Sequence, residues 1–134
     1  VPFERGPLGH SDGDVLCHAV VDAIFGAAAA GDIGRHFSDV DPRWKDAPGL
    51  DLVGRCLQVV HGLGWIVTNV DATVVLERPR IGPHVAAMRA QLAAALGITV
   101  QQVSIKAKTN EGVDAVGRGE AIAAHAVALI RIRN

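Results

Sequence analysis

The stretch HSDGDVLCHAVVD, residues 10–22, decides how the chain is read, with AAGDIG close behind at residues 29–34. From Asp14 onward Val15, Leu16, Ala19, Val20, Ala23, Ile24 and Ala27 recur at helical spacing, which predicts a helix over 14–30 with Gly31 as its stop. On that helix Asp14, His18 and Asp22 stand four apart and share one face. Two carboxylates and an imidazole on an otherwise apolar helix are costly to bury without hydrogen bonds, a metal or a ligand. The face therefore lines a site or meets water. A lone helical histidine is more often solvated or hydrogen-bonded than a ligand, so the spacing alone does not choose between them.

Outward from this helix the signals alternate. Residues 31–46, GDIGRHFSDVDPRWKD, are too polar and too rich in Gly and Asp for a regular element and read as a long loop. A second helix is predicted over 50–63, where Leu52, Val53, Cys56, Leu57, Val59 and Val60 form a stripe that Gly62 and Gly64 end. Residues 65–77, WIVTNVDATVVLE, are β-branched and broadly alternating, the pattern of a strand. Gly82-Pro83-His84 opens a third helix over 85–96, with Met88 and Leu92 on its apolar side and Gly97 at its end. VSIKAK, residues 103–108, is a short strand, and TNEGVDAVGRGEA, residues 109–121, is a second candidate site loop. In the tail, 122–132, alanine favours helix while the ending LIRIR alternates, and the expectation is a strand. The sum is an α/β (α+β) chain with one layer of each element.

At 134 residues the chain has the length of a single domain, taken as 1–134. Thirteen basic and 14 acidic side chains leave a net charge of -1, with no broad pull toward nucleic acid or an anionic membrane, so small molecules or proteins are the expected partners. Hydrophobic residues make up 49% but aromatics only 4%, which predicts a core of small and branched side chains. Cys17 and Cys56, in a sequence without a signal peptide, read as structural thiols of a reduced, cytoplasmic protein. No apolar run reaches membrane-spanning length. The opening VPFERGPLG lacks an initiating Met, and a segment before it is expected.

Nucleophile chemistry finds little support. Cys17 and His18 are helix neighbours whose side chains diverge by about 100°. Ser11 lacks the strained Gly-x-Ser-x-Gly turn of a serine hydrolase, and GRGE lacks the spacing of a P-loop. What remains suits a polyanion and its metal ions. His10, Asp14, His18, Asp32, Asp39, Asp41 and Glu111 are possible cation donors, and Arg80, Lys106, Lys108 and Arg118 possible phosphate contacts. Each alone is unremarkable, with Asp39 and Asp41 reading as a solvated loop, Arg118 as a surface charge and Glu111 as a turn residue.

Together, HSDGDVLCHAVVDAIFGAAAAGDIGRHFSDVDPRWK, NVDATVV, RPRIGPHVAAMR, VSIKAKTNEG and GRGEAIAAHAVAL closely resemble the 2-C-methyl-D-erythritol 2,4-cyclodiphosphate synthases of the non-mevalonate isoprenoid pathway. The resemblance covers nearly the whole chain, and HSDGDV, GDIG and GRGE in that order are a specific combination. It implies a homotrimer of subunits whose sheets are covered by helices on one face, with active sites between adjacent subunits. The implied reaction takes 4-diphosphocytidyl-2-C-methyl-D-erythritol 2-phosphate to the 2,4-cyclodiphosphate with release of CMP.

The resemblance also implies roles. His10 and Thr109 match positions that stabilise the transition state. His18 matches a zinc ligand, with Asp22 orienting its imidazole, and Glu111 a ligand of magnesium or manganese. The other zinc ligands, in an Asp-x-His motif on an N-terminal strand, are expected upstream of Val1. His10, Ser11, Asp32, Ile33 and Gly34 would hold the methylerythritol part and its phosphate, with Phe37, Ser38, Asp39, Val40 and Asp41 also on the substrate. Leu76, Glu77, Arg78, Pro79, Arg80, Ile81 and Gly82 would recognise cytosine, mostly through backbone groups. Lys108, Asn110 and Ala115 are also on the substrate in the implied set, and Arg118 would meet phosphate or a ligand in the trimer's central channel. Lys108 and Asn110 stand where the family customarily has threonines, and Ala115 where it has a phenylalanine. The alternative reading is a non-catalytic trimer that binds nucleotides or isoprenoid diphosphates.

Overall fold

The computed structural model describes residues 9–38, 40–44, 46–77, 82–109, 111–118 and 122–134, with side chains from Asp14 onward. Helix α1 spans Gly9–Ala27, starting earlier than its apolar stripe announces. Leu16, Cys17, Val20, Val21, Ile24 and Phe25 are buried on one face, which keeps the helical period but is rotated from the expected stripe, leaving Val15, Ala19 and Ala23 half-buried and Ala27 exposed. The helix does not run on to Gly31. Ala29 takes φ +53, its N–H bonds Gly26 C=O at 3.1 Å, and Ala30 N–H bonds Phe25 C=O at 2.8 Å. This is a Schellman stop built on alanine.

The region read as a loop over 31–46 contains a helical turn, α2 (Ile33–His36). Asp32 makes it possible, because its Oδ1 accepts the Arg35 N–H at 2.9 Å and so caps the turn. Helix α3 (Gly49–Gly62) buries Leu52, Val53, Cys56 and Val60 and packs on α1. Its first residue must be small: a Cβ on Gly49 would lie 2.7 Å from Cys17 Cβ. Cys17 and Cys56 are both buried and not joined in a disulfide, as expected of structural cysteines. Burial, helped by the charge of Asp22, pushes the Cys56 thiol up to about 12.

Strand β1 (Trp65–Val75) is the centre of a three-stranded sheet of order β2-β1-β3. It pairs in parallel with β2 (Val103–Lys108), reached through α4 (Val85–Leu96), and antiparallel with β3 (Ala123–Ile132). The tail is thus a strand, as its alternating end predicted. The predicted strand over 65–77 stops at Val75, although Leu76 N–H still donates to Lys108 C=O at 3.0 Å.

Burial on β1 changes parity, from Val67 to Val70, Ala72 and Val74. A register shift between Val67 and Asn69 accounts for it, with Thr68 Oγ1 donating to Leu129 C=O at 3.0 Å. Such a bulge returns valines of the wrong parity to the core.

The helices cover one face of the sheet, where Val70, Ala72, Val74, Val103 and Ile105 are buried. Ser104, Lys106, Val127 and Leu129 are exposed on the strands. Residues 109–121, read as a loop, include one helical turn, α5 (Asp114–Gly117). Among the described residues no helix is long and apolar enough to cross a membrane.

Candidate active site

The polar face of α1 is divided between scaffold and cleft. Asp22 Oδ1 accepts the Ile33 N–H at 2.7 Å, tying the Asp32-Ile33-Gly34 turn down onto the helix. Asp14 Oδ1 accepts the Gly49 N–H at 3.0 Å and caps α3. His18, between them on the same face, is exposed. It opens into a cleft of about 630 Å³ together with Ile33, Gly34, Phe37, Ser38 and Trp44. The aromatic wall is internally braced. Phe37 meets Trp44 edge-on with centroids 4.8 Å apart, and Phe25 stacks on His36 at 4.1 Å, whose Nε2 donates to Ala30 C=O at 2.7 Å. The Arg43 and Arg55 guanidinium carbons lie 5.5 and 5.4 Å from the centroid of the Trp44 ring.

A second cleft, of about 450 Å³, opens where β1 and β2 end. Loops that follow neighbouring parallel strands emerge side by side at their carboxyl ends, a common place for ligands in α/β folds. Leu76, Glu77, Gly82, Pro83, Lys108 and Thr109 line this cleft. Thr109 Oγ1 accepts the Glu111 N–H at 3.4 Å, and Glu77 Oε1 accepts the Gly112 N–H at 3.2 Å. Among the described residues the two clefts have no lining residue in common.

The sequence candidates are thereby sorted. Asp14, His18, Ile33, Gly34, Phe37 and Ser38 meet in one cleft, and Leu76, Glu77, Gly82, Lys108 and Thr109 in the other. Val40 is 89% exposed and lines neither. Asp41 is engaged by Arg43, whose Nη2 lies 2.9 Å from Oδ2; that hydrogen bond holds the Asp41 carboxyl below its usual range. Lys106 lines neither of these two clefts: its Nζ donates to Asp71 Oδ2 at 2.9 Å. Glu111 and Arg118 are exposed and Ala115 half-buried around α5. Asp39, Arg78, Pro79, Arg80, Ile81 and Asn110 lie outside the described residues. His10 and Ser11 fall within α1, their side chains outside the description. Trp44 escaped the sequence reading, although a tryptophan in a polar loop was itself a signal of a wall needing aromatic surface.

Divalent ions require several donors converging on one point. Among the described residues no three His, Cys, Asp or Glu side chains are grouped that way. His18 offers one donor to its cleft, and neither it nor Glu111 completes a metal site by itself.

An α/β chain with its helices on one face of a three-stranded sheet is a fold that known proteins share. The chain belongs to the YgbB family, whose family model matches residues 1–131. Its curated relatives are 2-C-methyl-D-erythritol 2,4-cyclodiphosphate synthases. A 2-C-methyl-D-erythritol 2,4-cyclodiphosphate synthase of Burkholderia thailandensis is 54% identical over 130 residues, 97% of this chain and 80% of that protein. Among solved structures, the bifunctional IspDF from Campylobacter jejuni superposes with a TM-score of 0.87 at 33% identity, over 93% of this chain and 34% of that longer one. A CDP-bound 2C-methyl-D-erythritol-2,4-cyclodiphosphate synthase superposes with a TM-score of 0.82 at 32% identity, over 94% of this chain and 81% of that one.

Proposed function

We propose that this chain, as a single domain working in the cytoplasm, converts 4-diphosphocytidyl-2-C-methyl-D-erythritol 2-phosphate to 2-C-methyl-D-erythritol 2,4-cyclodiphosphate and CMP. The observation that carries the reading is the second cleft, where Thr109 and Lys108 stand beside Leu76, Glu77 and Gly82. A hydroxyl, an ammonium and a turn rich in backbone polar groups suit a cytidine diphosphate. The solved relative that holds CDP supports that assignment.

The reaction needs no nucleophile from the protein. An oxygen of the 2-phosphate forms a bond to the phosphorus nearest the sugar, and the bond from that phosphorus to CMP breaks, CMP leaving with the electron pair. The protein's work is to hold the attacking oxygen and phosphorus in line and to stabilise charge on the phosphoryl oxygens. Thr109 and His10 donate hydrogen bonds to those oxygens, and Lys108 and Arg118 offset their charge. Ser11 and the turn of Asp32, Ile33 and Gly34 hold the methylerythritol phosphate, with Phe37, Ser38 and Asp39 beside it. Leu76, Glu77, Arg78, Pro79, Arg80, Ile81 and Gly82 surround cytosine, and Asn110 and Ala115 meet the substrate from the neighbouring loop.

The family's divalent cation, when bound, supplies Lewis-acid neutralisation of the phosphates. We assign His18 as one donor to zinc, with Asp22 behind it, and Glu111 as one donor to magnesium or manganese. The remaining donors come from substrate, water or outside the described residues.

Homotrimerisation completes the reading. Val127 and Leu129 are 67% and 63% exposed on β3, an apolar stripe that the chain's own helices leave uncovered. A threefold ring covers such stripes against one another and brings the His18 cleft of one subunit to the Thr109 cleft of the next.

CMP release from the diphosphocytidyl substrate tests the function. Release in the parent, falling about a hundredfold in Thr109→Ala, is expected. Nucleotide binding without release would establish the non-catalytic trimer instead.

A further inference from the structure

Glu77 follows the end of β1 in the wall of the second cleft, and its side chain reaches the opposite loop. Its Oε1 accepts the Gly112 N–H at 3.2 Å, a bond between positions 35 residues apart. The backbone it holds is not one that holds itself. Glu111 and Gly112 are consecutive left-handed residues, at φ +54 and φ +73. Glycine adopts that conformation freely, whereas glutamate does so only where its surroundings impose it.

On its far side Gly112 lies against α5: a Cβ on Gly117 would fall 2.1 Å from the Gly112 carbonyl carbon, so no larger residue fits. The Gly117 N–H closes the turn on Val113 C=O at 2.9 Å. Gly112 is thus gripped between the Glu77 carboxylate and the Gly117 backbone. Thr109 and Glu111 sit just ahead of that grip and Arg118 just behind it.

An acidic side chain in a cleft for a diphosphate would repel its ligand unless its oxygens were engaged elsewhere. A bond from a backbone N–H engages one of them and is strengthened by the charge. We propose that Glu77 is a positioning residue: by fixing the Gly112 amide it holds Glu111 in its left-handed conformation, aiming Thr109 at the substrate's phosphates and Glu111 at their divalent cation. This rests on Thr109 and Glu111 serving the diphosphate as assigned above. Glutamine at 77 keeps an acceptor oxygen and preserves the device, whereas alanine abolishes it.

The test pairs amide exchange of Gly112, followed by NMR in the metal-free chain, with the magnesium dependence of CMP release. In Glu77→Ala the Gly112 exchange rate and the half-saturating magnesium concentration should each rise about tenfold, while Glu77→Gln stays within about threefold of the parent in both. A purely structural role would lower the unfolding midpoint and leave the magnesium dependence of the folded fraction in place. Should Glu77→Ala fail to fold, Glu77→Asp, one methylene too short to reach Gly112, is read in its place. Unchanged Gly112 exchange overturns the proposal, and so does an unchanged magnesium midpoint. If the parent itself releases no CMP the proposed function falls, and Gly112 exchange alone then decides the role of Glu77.

Discussion

Asp14 on α1 caps α3 across 35 residues of chain, its Oδ1 accepting the Gly49 N–H at 3.0 Å. Pro48, at the N-cap position, has no side-chain oxygen to offer, so the cap must come from elsewhere in the fold. A carboxylate there also meets the positive end of the α3 dipole. Asp14→Ala should lower the unfolding free energy by about 1–2 kcal/mol in urea titrations, and Asp14→Asn by less than half of that. Gly49→Ala should cost about 1–3 kcal/mol, because its Cβ would press on Cys17. Equal losses for Asn and Ala at position 14 would show that the bond to Gly49 is not what matters.

Ala29 is the opposite case, a stop that the protein makes with a poorly suited residue. Its φ of +53 places a methyl group where glycine has none. Ala29→Gly should stabilise the fold by about 0.5–1 kcal/mol. The corresponding rise in Tm is about 2–4 °C. A calorimetric Tm at or below that of the parent would mean that the Schellman geometry does not form.

Asp22 couples the helix to the turn beside His18 through its 2.7 Å bond to the Ile33 N–H. Without it the Asp32-Ile33-Gly34 turn loses its anchor to α1, and groups that position substrate lose more than groups that only fill space. Asp22→Ala should raise KM about tenfold in the CMP-release assay, and Asp22→Asn, which keeps an acceptor, by less than threefold. An unchanged KM in Asp22→Ala would assign the bond to stability alone.

The ion pair of Asp71 and Lys106 gives an acid-side signature. The hydrogen bond from Lys106 holds the Asp71 carboxyl below its ordinary value of 3.8, aided by Ser104 and by the Lys106 charge. A carboxyl lowered in the folded state contributes its full stability above pH 3.8 and loses it as pH falls through the lower folded-state value. Both side chains are well exposed, at 48% and 40%, so the contribution is small. Urea midpoints of the parent and Asp71→Asn should differ by a constant amount well above pH 3.8 and converge as the pH falls below it. Parallel curves across that range would remove the pair from the acid dependence.

Much of this was legible in the sequence, and what was not has physical causes. Helix α1 announced itself because Leu16, Val20 and Ile24 keep a helical period, and α4 because Gly97 ends it in a left-handed stop at φ +67. The parity change in β1 was not legible: a bulge at Thr68 depends on the pairing with Leu129, 61 residues away. The stacking of Asp14, His18 and Asp22 followed from spacing, but their division of labour did not. Which carboxylate reaches Gly49 and which reaches Ile33 is decided by how α3 and α2 pack on α1. The two clefts were legible only as motifs, since nothing in the order of residues states that His18 and Thr109 line separate surfaces of one chain.

That separation supplies the most direct test of the central claim, that the clefts of neighbouring subunits together make one catalytic centre. Inactive His18→Ala and Thr109→Ala chains would be mixed in equal amounts, unfolded and refolded together, and assayed for CMP release. Random trimers restore about one intact pair of clefts in four, so release should return to roughly a quarter of the parent rate. Activity no greater than the average of the two variants refolded separately would contradict the claim.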